Sequence, residues 1–138
     1  MIMTDKSDIK EREARAIIQT YARQDVLIVR GSGSRVWDSD GKEYLDFVAG
    51  IAVNSVGHCH PTVVEAVKKQ AELLIHTSNL YYTENQVLLA EELKSITGMD
   101  RAYFCNSGAE SVEAALKLTR RATGRSKIVA AERAFHGR

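Results

Sequence analysis

The segment from Ala102 to Ala131 restricts the fold of this chain more than any other. Ala102-Tyr-Phe-Cys105 is a short apolar run and Asn106-Ser-Gly-Ala-Glu110 a tight turn; a 3.6-residue period then lasts to about Thr123, where Gly124 supplies a stop. Lys127-Ile-Val-Ala-Ala131 is a second apolar run, of the kind buried on both faces. Strand, helix and strand joined by short connections make a βαβ unit, which predicts a parallel sheet and an α/β fold. One crossover and two strands are too little for a covered parallel sheet, so the 138 residues read as the front part of a larger protein.

Upstream the periodicity is different. Asp8 to Arg23 carries a ragged apolar stripe and predicts a helix. Val26–Arg30, Arg35–Asp38 and Glu43–Phe47 read as three strands separated by Gly31-Ser-Gly-Ser34 and by a turn through Asp40-Gly41, a strong hairpin signal. Gly57-His-Cys-His-Pro61 breaks the pattern, and Pro61 suits the first turn of a helix running to about residue 75. Residues 76–82 have no period and read as a loop. Thr83 with Gln86 predicts a capping box for a helix to Thr97, closed by Gly98.

Composition removes several classes. Lys plus Arg is 19 against 18 for Asp plus Glu, a net charge of +1 that gives no reason to expect a nucleic-acid or anionic-membrane partner. The first residues hold no apolar segment after their charges, and the longest uncharged apolar run, Phe47 to Val53, falls far short of a bilayer span. A soluble, cytoplasmic chain is expected. Cys59 and Cys105 form no C-x-x-C pair, so reduced thiols are expected rather than a disulfide framework. His58-Cys59-His60 has no second ligand cluster near it in sequence and reads as a turn, with no metal expected. The five cations between Lys117 and Lys127 suit the negative end of a helix dipole.

Candidate chemistry lies at two places. Ser107-Gly108-Ala109 opens a helix, where unpaired backbone N–H groups and the positive end of the dipole favour a phosphate. Gly108 permits close approach of an anion, and the Ser107 hydroxyl serves either as a cap or as a donor to phosphate; a plain capped helix fits the same residues. Neither G-x-x-x-x-G-K-[ST] nor G-x-G-x-x-G occurs, and Ser107 is not in a G-x-S-x-G elbow. Phe135-His-Gly-Arg138 directly follows the second strand, and ligands bind at the carboxyl ends of parallel strands. An aromatic ring and an arginine there suit a flat cofactor and a carboxylate.

Taken in order, these motifs resemble the class III pyridoxal-phosphate aminotransferases. The resemblance is carried by Asn106 to Lys117 and Phe135 to Arg138, with Trp37 to Asp46, Ala49-Gly-Ile-Ala52, Gly57 to Pro61 and Ser78-Asn-Leu80 in family order. It implies the N-terminal part of a fold-type I transferase: residues 1–75 a segment of the small domain, and 76–138 the beginning of the large cofactor-binding domain. It further implies that pyridoxal 5'-phosphate is the cofactor, with Ser107, Gly108 and Ala109 on its phosphate and Phe135 stacked on its ring. Arg138 would pair with the substrate carboxylate. No catalytic residue is expected within the chain, because none of its eight lysines stands in the family context of the Schiff-base lysine. The implied reaction moves an amino group between N-acetylornithine, or a similar ω-amino donor, and 2-oxoglutarate in arginine biosynthesis. It would run in a homodimer, and the 138 residues alone would be inactive. Ornithine or 4-aminobutyrate as donor, and a non-enzymatic module for phosphorylated ligands, are the alternative readings.

Overall fold

The computed structural model describes residues 5–137, which divide into two compact units between Thr77 and Ser78. In the first unit, helix α1 spans Lys6–Ala16. It starts there because the Asp5 carboxylate accepts from the Ser7 amide at 3.0 Å and the Ser7 hydroxyl at 2.6 Å, which satisfies donors that a helix N-terminus leaves open. It ends well before Arg23, the end predicted from sequence. The chain turns extended at Ile17, the first of two β-branched residues that are poor helix formers. The Glu13 carboxylate accepts from the Gln19 side chain at 3.1 Å and pairs with Arg23 at 2.8 Å, drawing the following residues back along the helix.

Strands β1 (Ile28–Ser32), β2 (Arg35–Asp38) and β3 (Glu43–Leu45) form an antiparallel meander in that order. The predicted architecture is present with β1 shifted two residues along, where an irregularity between Ile28 and Arg30 breaks the register with β2. Gly33-Ser34 closes the first hairpin, and Gly33 takes the positive φ of 55° that such a turn needs. The second turn is built on Asp38. Its Oδ1 accepts from the amides of Asp40 at 3.0 Å and Lys42 at 2.9 Å, while the Tyr44 hydroxyl donates to its Oδ2 at 2.6 Å. Asp38 and Val36 are the buried residues of the sheet, at 7% and 9% exposure. Across the strands the Arg30 guanidinium lies 3.9 Å from the centre of the Trp37 ring.

β3 stops two residues short of Phe47 because Asp46 turns the chain, its Oδ1 accepting from the amides of Val48 at 3.0 Å and Ala49 at 2.9 Å. A single turn, α2 (Ala49–Ala52), follows and is left-handed, with φ of 48°, 63°, 58° and 65° at successive residues. Helix α3 (Pro61–Leu73) begins at Pro61, as the sequence indicates.

The second unit holds α4 (Glu84–Thr97) and α5 (Gly108–Thr123). Both end in glycines with φ near 69°, Gly98 and Gly124, matching the stops read from sequence. Thr83 precedes α4 in the extended conformation but makes no side-chain cap, so the predicted capping box does not form; Glu84 instead sets a negative charge at the positive end of the helix. Segments 102–105 and 127–131 are a clearer departure. Neither is a strand, and the three-stranded meander is the sheet among the described residues. A strand exists only where a neighbour takes up its hydrogen bonds, and the two runs that flank a crossover do not pair with each other here.

Candidate functional site

In the second unit, the start of α5 is built by two side chains. The Ser107 hydroxyl accepts from the Glu110 amide at 3.2 Å, the N-cap contact expected of serine. The Glu110 carboxylate reaches back to the Asn106 amide at 2.6 Å, one residue further than in a standard capping box. That displacement has a chemical result. The Asn106 and Glu110 amides are occupied, while those of Ser107, Gly108 and Ala109 have no hydrogen-bond partner among the described residues. Three consecutive free donors lie at the positive end of a 16-residue helix, and the Ser107 hydroxyl keeps its own proton to donate. Glu110 is held below the usual carboxylate range, foremost by the Asn106 backbone amide, so it carries its charge at neutral pH.

Gly137 lies directly against this turn. A Cβ on Gly137 would collide with the Ala109 nitrogen and the Gly108 carbonyl, and one on Gly108 would sit 3.4 Å from the Gly137 Cα. With its φ of 89°, Gly137 is a position that glycine alone fills without strain. The structure therefore brings the Phe135-His-Gly segment to the start of α5. The Phe135 ring is exposed, at 75%, and free to cover a flat ligand. Arg138 lies outside the described residues.

An open cleft of about 560 Å³ runs along another side of the same helix. Tyr103, Phe104, Asn106, Ala109, Glu110 and Lys117 contribute to its wall, and Phe135 does not. Cys105, at its edge, is a free thiol donating to the Ser107 carbonyl at 3.4 Å.

The first unit contains a polar pair that no motif in the chain marks out. His58 Nε2 meets Asp46 Oδ2 at 2.7 Å, with both side chains mostly buried. Hydrogen bonding to His58, before that to the Ala49 amide, holds the Asp46 carboxyl below its ordinary range. His60 and Cys59 take no part, and no group of three His, Cys, Asp or Glu side chains among the described residues is placed to hold a metal. No helix among them is long and apolar enough to cross a membrane.

The comparisons with known proteins agree with one another. The chain is 64% identical to acetylornithine aminotransferase of Methanosarcina acetivorans over 128 residues, 93% of this chain and 32% of that protein. Among solved structures, ornithine aminotransferase of Toxoplasma gondii, described with partial occupancy of PLP at its active site, superposes with a TM-score of 0.84 at 34% identity; the match covers 95% of this chain and 31% of that one. Acetylornithine aminotransferase from Elizabethkingia anophelis gives 0.81 at 36% identity, over 86% of this chain and 29% of that one. The chain thus spans about a third of the length of these relatives. Its fold is α/β and of the fold-type I aminotransferase kind, although the 102–105 and 127–131 runs are unpaired. The model of the family "Aminotransferase class-III" matches residues 18–138, and the chain belongs to that family.

Proposed function

We propose that this chain is part of an aminotransferase that uses pyridoxal 5'-phosphate to move an amino group between N-acetylornithine and 2-oxoglutarate, a reaction of arginine biosynthesis in the cytoplasm. The observation that carries the reading is the row of unpartnered amides at Ser107, Gly108 and Ala109, with the Phe135–Gly137 segment lying against them. A phosphate monoester dianion suits that row: it needs several donors at once and gains from the helix dipole. The residues present therefore fit the phosphate end of the cofactor.

Within the site, the amides of Ser107, Gly108 and Ala109 hold the phosphate, and the Ser107 hydroxyl donates to it while still capping α5. Glu110 engages the Asn106 amide, which keeps the row open and its carboxylate oxygens off the anion. Phe135 would cover the pyridine ring and exclude water from it. Arg138 is assigned to the substrate carboxylate, a task for which a planar guanidinium is better suited than lysine. When bound, pyridoxal phosphate supplies the carbonyl carbon that accepts the amino group and the electron sink that makes the α-proton removable. The amine that anchors it is assigned outside these 138 residues, in a protein of the relatives' length. Residues 1–75 are assigned to the small domain and 76–138 to the start of the large one, in a homodimer.

The test uses the full-length protein. With pyridoxal phosphate it should acquire the absorbance of a protein-bound cofactor and convert N-acetylornithine with a higher kcat/KM than ornithine or 4-aminobutyrate. Equal or better use of ornithine would reassign the donor, and a colourless, inactive protein would end the proposal. The 138-residue chain given the same cofactor and donor should show no transamination above free pyridoxal phosphate.

A further inference from the structure

The turn α2 is in a conformation that its own residues disfavour. Left-handed backbone brings Cβ against the following carbonyl, and glycine alone escapes the clash; here Ala49, Ile51 and Ala52 adopt it beside Gly50. An Ala-Gly-Ile-Ala segment released from its surroundings would rotate to right-handed or extended backbone, so something outside the turn must hold it. The tethers are visible at both ends. The Asp46 amide donates to the Ser34 carbonyl at 2.9 Å, and the Asp46 carboxylate takes the amides of Val48 and Ala49. The other carboxylate oxygen meets His58, whose backbone is bridged to Gly33 by hydrogen bonds of 2.9 and 2.8 Å. Gly31 makes room for the ring: a Cβ there would come within 2.6 Å of it. Within the turn, Ser55 Oγ donates to the Ala52 carbonyl at 2.5 Å and the Asn54 amide to the Ala49 carbonyl at 2.9 Å.

Between these groups lies a cavity of about 170 Å³, so the segment is not packed solid on this side. The titratable groups lining it are Asp46 and His58 themselves; Gly33, Ser34, Asn54 and Ser55 supply the rest of its polar wall. The ion pair of Arg35 with Glu43 belongs to β2 and β3 and is engaged with itself. Ile51, at the crest of the turn, is exposed at 88% and moves with it.

We infer that residues 46–58 form a two-position element in which the Asp46–His58 pair latches a strained left-handed turn, and that loss of the pair lets the turn relax and carries the Ile51 side chain to a second position. The inference stands independently of the reaction proposed above. It is tested in the full-length protein by hydrogen exchange read on the peptide covering residues 47–53. His58→Phe keeps a ring beside Gly31 but cannot bond to Asp46, and should speed exchange of that peptide about tenfold or more while peptides from β1 to β3 keep their protection. Ala52→Gly, which removes a left-handed penalty, should slow exchange when made alone and bring His58→Phe back to within about twofold of the parent. Asp46→Asn retains an oxygen for the two amides and should give an intermediate rate. Should His58→Phe fail to fold, Asp46→Asn with and without Ala52→Gly decides the matter in the same way. Unchanged exchange in the latch variants, absence of rescue by glycine, or an equal rise across the sheet peptides would each overturn the inference.

Discussion

Three carboxylates, Asp38, Asp46 and Glu110, are each held in charged form by donors aimed at them: the Tyr44 hydroxyl, His58 and the Asn106 amide respectively. All three have their proton affinity lowered by folding. Their contribution is therefore fully present above the ordinary carboxylate range and lost as pH falls through the lower folded-state values. Urea midpoints of the full-length protein should be level from pH 7 to 5 and drop below that; a midpoint that rises on acidification would contradict the assignment. Ser107→Ala should cost about 1 kcal/mol through loss of the α5 cap and also weaken cofactor retention, read as faster loss of bound-cofactor absorbance on dilution. Gly137→Ala should be more damaging to cofactor binding, since it meets both a positive φ and a collision with Ala109 and Gly108. At this scale Ser107 and Gly124 could be read directly from the chain, because caps and stops are local chemistry. The bond from His58 to Asp46 could not, since it spans 12 residues and depends on how the turn between them folds.

Among the elements, those whose stability is settled within a few residues were the ones the sequence placed well. α5 is bounded by a serine cap and a left-handed glycine, and the meander is fixed by its two turns. The segments 102–105 and 127–131 depended on neighbours distant in sequence, and apolar composition alone does not supply them. α1 is present, but it ends short of its predicted limit for a related reason: its stripe continues past Ala16, while Glu13 captures Gln19 and Arg23 and the helix ends. Gly98 and Gly124 allow a clean measurement of what a C-terminal glycine is worth, because nothing lies within 4 Å of a Cβ at either position. Alanine at either should cost about 1 kcal/mol from backbone strain alone, seen as a lower midpoint in thermal or urea unfolding.

Over the whole chain the accessible surface is 12752 Å² for 15.3 kDa. A compact protein of that mass exposes about 7,200 Å², and two separate compact halves would expose about 8,600 Å². Large apolar side chains are among the exposed residues, with Phe47 at 92%, Val129 at 96% and Tyr82 at 100% exposure. The isolated 138-residue chain should accordingly bind a hydrophobic dye and melt broadly, whereas the full-length protein should do neither; a sharp, dye-free transition of the short chain would favour the phosphate-ligand module instead. One modest feature has a long reach. The paired hydrogen bonds between Gly33 and His58, with Gly57 packed so tightly on Gly33 that a Cβ would sit 3.0 Å from its Cα, fasten the first hairpin to the residues that launch α3. Hairpin and helix thus share one fixed seam. Among related proteins, insertions and deletions should accordingly be absent from residues 31–34 and 57–61 and accumulate in the exposed stretch after α3, where gaining or losing a residue leaves that seam closed.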